Sequence, residues 1–141
     1  MNCSRKAGMC FSVTIALATF SLPGIAANNK IAAGKVLYDK TCASCHSTAE
    51  GVNQIGPTLY KVVGRHAAAV PNYSYSSIIR AADLVWNEET LVKFLSGPQA
   101  MIPCHQIATK SLVSCLGTKM TFSGLQSEAN AKAVVAYLKS Q

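Results

Sequence analysis

Residues 41–46 read T-C-A-S-C-H: two thiols three positions apart, with a histidine directly after the second. C-x-x-C-H is the attachment signature of c-type haem. The spacing has a mechanical reason. Cys42 and Cys45 can reach the two vinyl groups of one haem and form thioethers, and His46 is then delivered beneath the iron. Two other readings compete. A thioredoxin-like dithiol wants a strand before the motif and a helix after it, whereas here a helical pattern comes first. A zinc site wants a second C-x-x-C or a histidine pair, and the spacing of Cys104 and Cys115 does not supply one.

Working outward, Ile31, Ala32, Val36 and Leu37 recur at helical spacing and predict a helix from about Lys30 to Cys42. Glu50 to Tyr73 is rich in Gly and Pro and reads as loop. Asn87 before Glu88 and Glu89 is an N-cap with acids in the first turn. Leu91, Phe94 and Leu95 line one face of that helix, and Gly97-Pro98 ends it. Ser127 and Glu128 open a last helix with a stripe of Ala131, Val134, Val135 and Leu138. No segment shows the alternation of a strand. A chain of 141 residues has room for one small domain. Short helices and long loops give it a thin core, which suggests something large and apolar at its centre.

The chain opens with a positive pair, Arg5 and Lys6, followed by a nearly uncharged apolar run from Ala7 to Leu22. Pro23 and Gly24 break the run before Ala26 and Ala27. This is the layout of a secretory signal peptide, residues 1–27, cleaved after Ala26 or Ala27. The competing reading is an uncleaved anchor, but a spanning helix wants roughly 20 apolar residues. Export implies an oxidising space, here the periplasm, where paired thiols become disulfides. Cleavage removes two of the 13 basic residues and leaves 11 against 6 acidic ones, a net charge of +5. That suits acidic partners or an anionic surface. The basic residues are scattered, so nucleic acid is not the expected partner.

Several further segments stand in order behind T-C-A-S-C-H: I-G-P-T-L-Y-K-V-V-G-R, P-N-Y-S-Y-S, V-W-N-E-E-T-L, G-T-K-M-T-F-S-G and A-V-V-A-Y-L-K. Together with A-A-G-K-V-L-Y-D-K they resemble the class I cytochromes c, of the mitochondrial cytochrome c and bacterial cytochrome c2 kind, from about Gly34 to Lys139. The resemblance implies an all-α fold of short helices and loops wrapped around one covalent haem, over residues 28–141. It implies crossing N- and C-terminal helices that meet through Gly34, Tyr38, Val134, Tyr137 and Leu138. It also implies Met120 as the sixth iron ligand opposite His46. A soft thioether favours the reduced state and raises the potential. Met101 is a rival ligand, but it falls where the family has a packing residue. Pro57 would offer its carbonyl to the other ring nitrogen of His46. Arg65, Tyr75 and Trp86 resemble the donors to the haem propionates, and Tyr73 and Thr118 add hydrogen bonds in that region. The bland alternatives are a surface arginine and core aromatics. His66 reads as a solvated loop residue.

Three departures from the family matter. Phe94 stands where a tyrosine usually lies near the methionine sulfur. The family's ring of lysines is reduced to Lys119, with Gln99, Ala100, Gln126 and Ser127 at other positions, so docking by charge should be weaker. Finally, residues 104–116 are inserted between Ile102-Pro103 and Gly117. With Cys42 and Cys45 taken by haem, Cys104 and Cys115 have only each other in an oxidising space. A disulfide would close the insert at its base, and a loop this short gains about 3 kcal/mol on the chain-entropy estimate. Zinc on Cys104, His105 and Cys115 lacks a fourth ligand. Ile107, Leu112, Val113 and Leu116 give the insert an apolar side, which would pack near the haem edge.

The function these features imply is a monomeric periplasmic electron carrier with one haem c, and not an enzyme. Its partners would be redox proteins: a membrane oxidoreductase or terminal oxidase, and periplasmic dehydrogenases. Membrane contact would be peripheral. The alternative is a haem subunit of a larger dehydrogenase or oxidase complex.

Overall fold

The computed structural model of the protein describes residues 23–102 and 117–141, with side chains from residue 28. Most of the signal segment, the inserted residues 104–116 and the Cys104–Cys115 pairing lie outside the described residues. Cleavage after Ala26 or Ala27 would fall within the first helix. Among the described residues seven elements follow in order: α1 (Pro23–Thr41), β1 (Arg65–His66), α2 (Ser77–Ala81), β2 (Val85–Trp86), α3 (Glu88–Ser96), α4 (Pro98–Met101) and α5 (Glu128–Lys139). Among the described residues no helix is long and apolar enough to cross a membrane.

The frame is the crossing of α1 and α5, the most extensive helix contact among the described residues. Gly34 makes it possible. A Cβ at this position would lie 1.9 Å from the Ala133 carbonyl oxygen, inside any allowed contact. Opposite it, Ala131 and Val134 are fully buried. One turn further on, the rings of Tyr38 and Tyr137 sit 5.2 Å apart in a tilted pair. This is the crossing the family resemblance implies, although the apolar spacing of α1 alone points elsewhere. Val36 is 66% exposed and Ala32 also faces solvent, while Ile31, Gly34, Tyr38 and Cys42 follow the buried side. The small Gly34 carried no hydrophobic signal, yet it sets where the helices touch. α1 also begins earlier than the expected Lys30; Pro23 suits a first turn, where a missing N–H costs nothing.

α3 forms as its sequence predicts. The Asn87 side chain accepts from the Thr90 N–H at 2.8 Å, which satisfies one of the donors a helix start leaves open. Leu91, Phe94 and Leu95 point inward. Gly97 ends α3 and also opens α4, a single turn with Pro98 at its first position. The Lys139 ammonium meets the Glu88 carboxylate and links the end of α5 to the start of α3.

The short elements β1, β2 and α2 were not legible in the sequence. The stretch expected to be only loop contains β1, which pairs antiparallel with β2, Arg65 opposite Trp86 and His66 opposite Val85. Two residues are too few for an alternation to show. α2 is one capped turn, Ser76 accepting from the Ile79 N–H at 3.3 Å.

Candidate haem site

The C-x-x-C-H segment continues the end of α1 as tight turns. The N–H groups of Cys42 and Ala43 donate to the Tyr38 carbonyl, and those of Cys45 and His46 to the Cys42 carbonyl. The thiols and the imidazole are thereby turned toward the centre of the molecule. There they line a cavity of about 320 Å³, with Leu59, Val62, Ile79, Leu95 and Leu138 among its apolar walls. Met120 reaches the same cavity from the segment that follows α4. Met101 does not line it, although it packs in the same cluster of side chains as Met120. Arg65, Tyr73, Tyr75, Trp86, Thr118 and Pro57 also border the cavity, so the structure brings together every residue expected there.

His46 is held on several sides. Its Nδ1 lies 2.7 Å from the Pro57 carbonyl oxygen, so Nδ1 carries the proton and Nε2 is left as the free nitrogen. Burial lowers the pKa of the ring, partly opposed by that bond, and favours the neutral imidazole a metal needs. Gly56 lies against the ring face: a Cβ there would meet Cε1 at 2.2 Å. The Tyr38 hydroxyl donates to the His46 carbonyl oxygen at 2.6 Å. Sequence reasoning gave Tyr38 only a packing role and read Gly56 only as part of a loop. The hydroxyl bond spans eight residues from helix to loop and has no local pattern to announce it.

Arg65 shows what the polypeptide leaves unanswered. Its guanidinium donates to the carbonyl oxygens of Tyr60 at 2.7 Å and Thr58 at 2.8 Å. Burial lowers its pKa, and among the described residues no carboxylate pairs with it. A half-buried cation without a counter-charge is costly. A carboxylate ligand such as a haem propionate would answer it. Tyr75 lies close enough to interact with Arg65 electrostatically, and burial raises its own phenol pKa.

The residues therefore fit a haem: a largely apolar slot, a neutral imidazole and a thioether on its walls, and a cation awaiting a carboxylate. They fit zinc poorly. Burial pushes the Cys42 thiol up, away from the thiolate that zinc binds. Among the described residues no group of three or more His, Cys, Asp or Glu side chains is placed to hold a metal ion.

The departures have structural counterparts. The Phe94 ring packs 4.9 Å from that of Trp86, in the cluster that includes Met120, and brings no hydroxyl there. The Lys119 ammonium donates to the Ser74 carbonyl oxygen at 2.8 Å. His66, expected in solvent, is exposed yet borders the cavity from β1.

Comparison with known proteins agrees with this geometry. The family model described as Cytochrome c matches residues 31–141. Cytochrome c of Euglena viridis is 37% identical over 107 residues, which cover 76% of this chain and 92% of that protein. Cytochrome c2 of Rhodopila globiformis is 34% identical over 107 residues, covering 76% of this chain and 89% of its own. Among solved structures, cytochrome cH from Methylobacterium extorquens superposes with a TM-score of 0.65 at 29% identity. That match covers 79% of this chain and 98% of the other.

Proposed function

The chain belongs to the cytochrome c family, and from that premise we propose that it shuttles single electrons between redox proteins, using one haem bound through Cys42 and Cys45. The observation that carries the reading is the cavity itself, with both thiols and the free Nε2 of His46 on its lining and the Met120 side chain on the same lining. Bound there, the haem supplies the one-electron chemistry. The chain's own residues do the rest. His46 and Met120 would hold the two axial positions, and Pro57 fixes which imidazole nitrogen is offered. Arg65, Tyr75, Trp86 and Thr118 would receive the propionates, with Arg65 the best supported because among the described residues no carboxylate pairs with it. The apolar walls exclude water and strengthen each of these contacts.

Export to the periplasm after removal of residues 1–27 completes the proposal, with the protein working as a monomer. Its partners would be a membrane oxidoreductase or terminal oxidase and periplasmic dehydrogenases. The Cys104–Cys115 disulfide belongs to the same reading. It is supported by the stems of the insert, which abut: a Cβ on Gly117 would lie 3.2 Å from the Ile102 carbonyl oxygen.

The test is the absorption spectrum of the dithionite-reduced protein with and without carbon monoxide. A c-type spectrum that ignores carbon monoxide means both axial positions are held, as expected. A prompt change on adding the gas would remove Met120 as a stable ligand and refute the closed-site carrier.

A further inference from the structure

We infer that Gln99 is a positioning residue for Met120, clamping the segment Gly117–Met120 to the turn α4. Its side chain crosses from one stem of the insert to the other. The Gln99 Nε2 group donates to the carbonyl oxygen of Met120 at 2.9 Å and to that of Thr118 at 3.3 Å. Both partners are acceptors, so the amide has one sensible orientation; the flipped form would set an oxygen against two oxygens. The Gln99 Oε1 atom is turned toward Gly117, where an added Cβ would stand 2.9 Å from it. The amide therefore occupies a slot that a side chain at position 117 would contest.

Within the segment, the Met120 N–H donates to the Thr118 hydroxyl oxygen at 3.1 Å. Gln99 thus holds the backbone on either side of Lys119, while the Lys119 ammonium reaches across to Ser74. The side chain that would carry the axial sulfur leaves a backbone fastened at its own carbonyl. Because α4 precedes residues 103–116 and Gly117 follows them, the clamp fixes Met120 whatever path the insert takes. The position counted in the sequence as a missing lysine has a different task here. The planar amide offers its two N–H groups to both carbonyls while its own oxygen is turned toward Gly117.

The inference rests on Met120 as the axial ligand, and the experiment separates the two. Q99L and Q99E are compared with the wild type in the haem-loaded ferric protein. Imidazole binding by displacement of the thioether, guanidinium unfolding, and hydrogen exchange of residues 117–122 are each measured. Q99L is expected to bind imidazole about five- to tenfold more tightly, the size of one to two lost hydrogen bonds. Q99E should bind it more tightly still, because its carboxylate faces two carbonyl oxygens. Measured in saturating imidazole, where the thioether is displaced and the clamp already released, the unfolding midpoint should stay at the wild-type value, and exchange over 117–122 without imidazole should quicken. Imidazole affinity equal to wild type in both variants overturns the clamp. So does a midpoint that falls equally with and without imidazole, since that is the mark of a general structural role. If the wild type itself lacks the sulfur–iron charge-transfer band, the ligand assignment fails, and hydrogen exchange alone decides. Faster exchange in the variants sustains the clamp and equal exchange overturns it.

Discussion

At the scale of single residues, Tyr38 carries two properties that a variant can separate. Its hydroxyl donates to the His46 carbonyl oxygen, and burial, with Tyr137 adding to it, pushes its pKa up to about 12. In an unfolded chain a phenol titrates near about 10. Between those values the folded protein keeps a proton that the unfolded chain has released. The contribution to stability is therefore complete below pH about 10 and is lost as pH rises through about 12. Tyr38→Phe should flatten the alkaline fall of stability over that window, measured by urea unfolding at successive pH values. At neutral pH the same variant should be less stable by about 1 kcal/mol, because the His46 carbonyl loses its donor. The proposed attachment residues Cys42, Cys45 and His46 were legible in the sequence because thioether attachment demands fixed types at fixed spacing, whereas Met120 was reached only through the family resemblance. The supports were not. Tyr38 and Gln99 act on residues far along the chain, and only the folded path shows that they meet.

Among the elements, the α1–α5 crossing depends on the absence of a side chain at Gly34. Gly34→Val would place its Cβ against the Ala133 backbone, which cannot yield as a flexible side chain can. The helices would have to part, and Val134 and Tyr137 would lose their fit. We expect a loss of about 3 kcal/mol, the upper range for overpacking, read as a lower denaturation midpoint. The visible helices in the sequence were those with a cap and a broad apolar stripe, α3 and α5. For α1 the apolar spacing that includes Val36 marks a helix but not its contact, which only the family resemblance located at Gly34 and Tyr38, because a close crossing at glycine leaves no hydrophobic mark. The β1–β2 pair escaped notice for a different reason. Its stability comes from where the loops carry Arg65 and Trp86, and two residues hold no period.

On the scale of the whole molecule, the cavity splits the side chains into two clusters. One is built around α1 and α5, and the other around Ile79, Phe94 and Ile102, with Met120 packed on it. Trp86 packs against both. A protein of this size buries only a modest share of its surface, so an apolar group between the clusters is expected to contribute much of its stability. Cys42→Ala with Cys45→Ala, which blocks covalent attachment, should leave a chain with helix content well below that of the wild type by circular dichroism. Native helicity without haem would show that the polypeptide clusters suffice. The imidazole of His46 offers a last consequence. With Pro57 at one edge, Gly56 against its face and Tyr38 on its backbone, the ring has almost no freedom to swing or tilt. An electron arriving at a metal so ligated would find the nuclei already where the new charge wants them. The reorganisation energy contributed by this side of the site would be small, and transfer would stay fast even between partners of nearly equal potential.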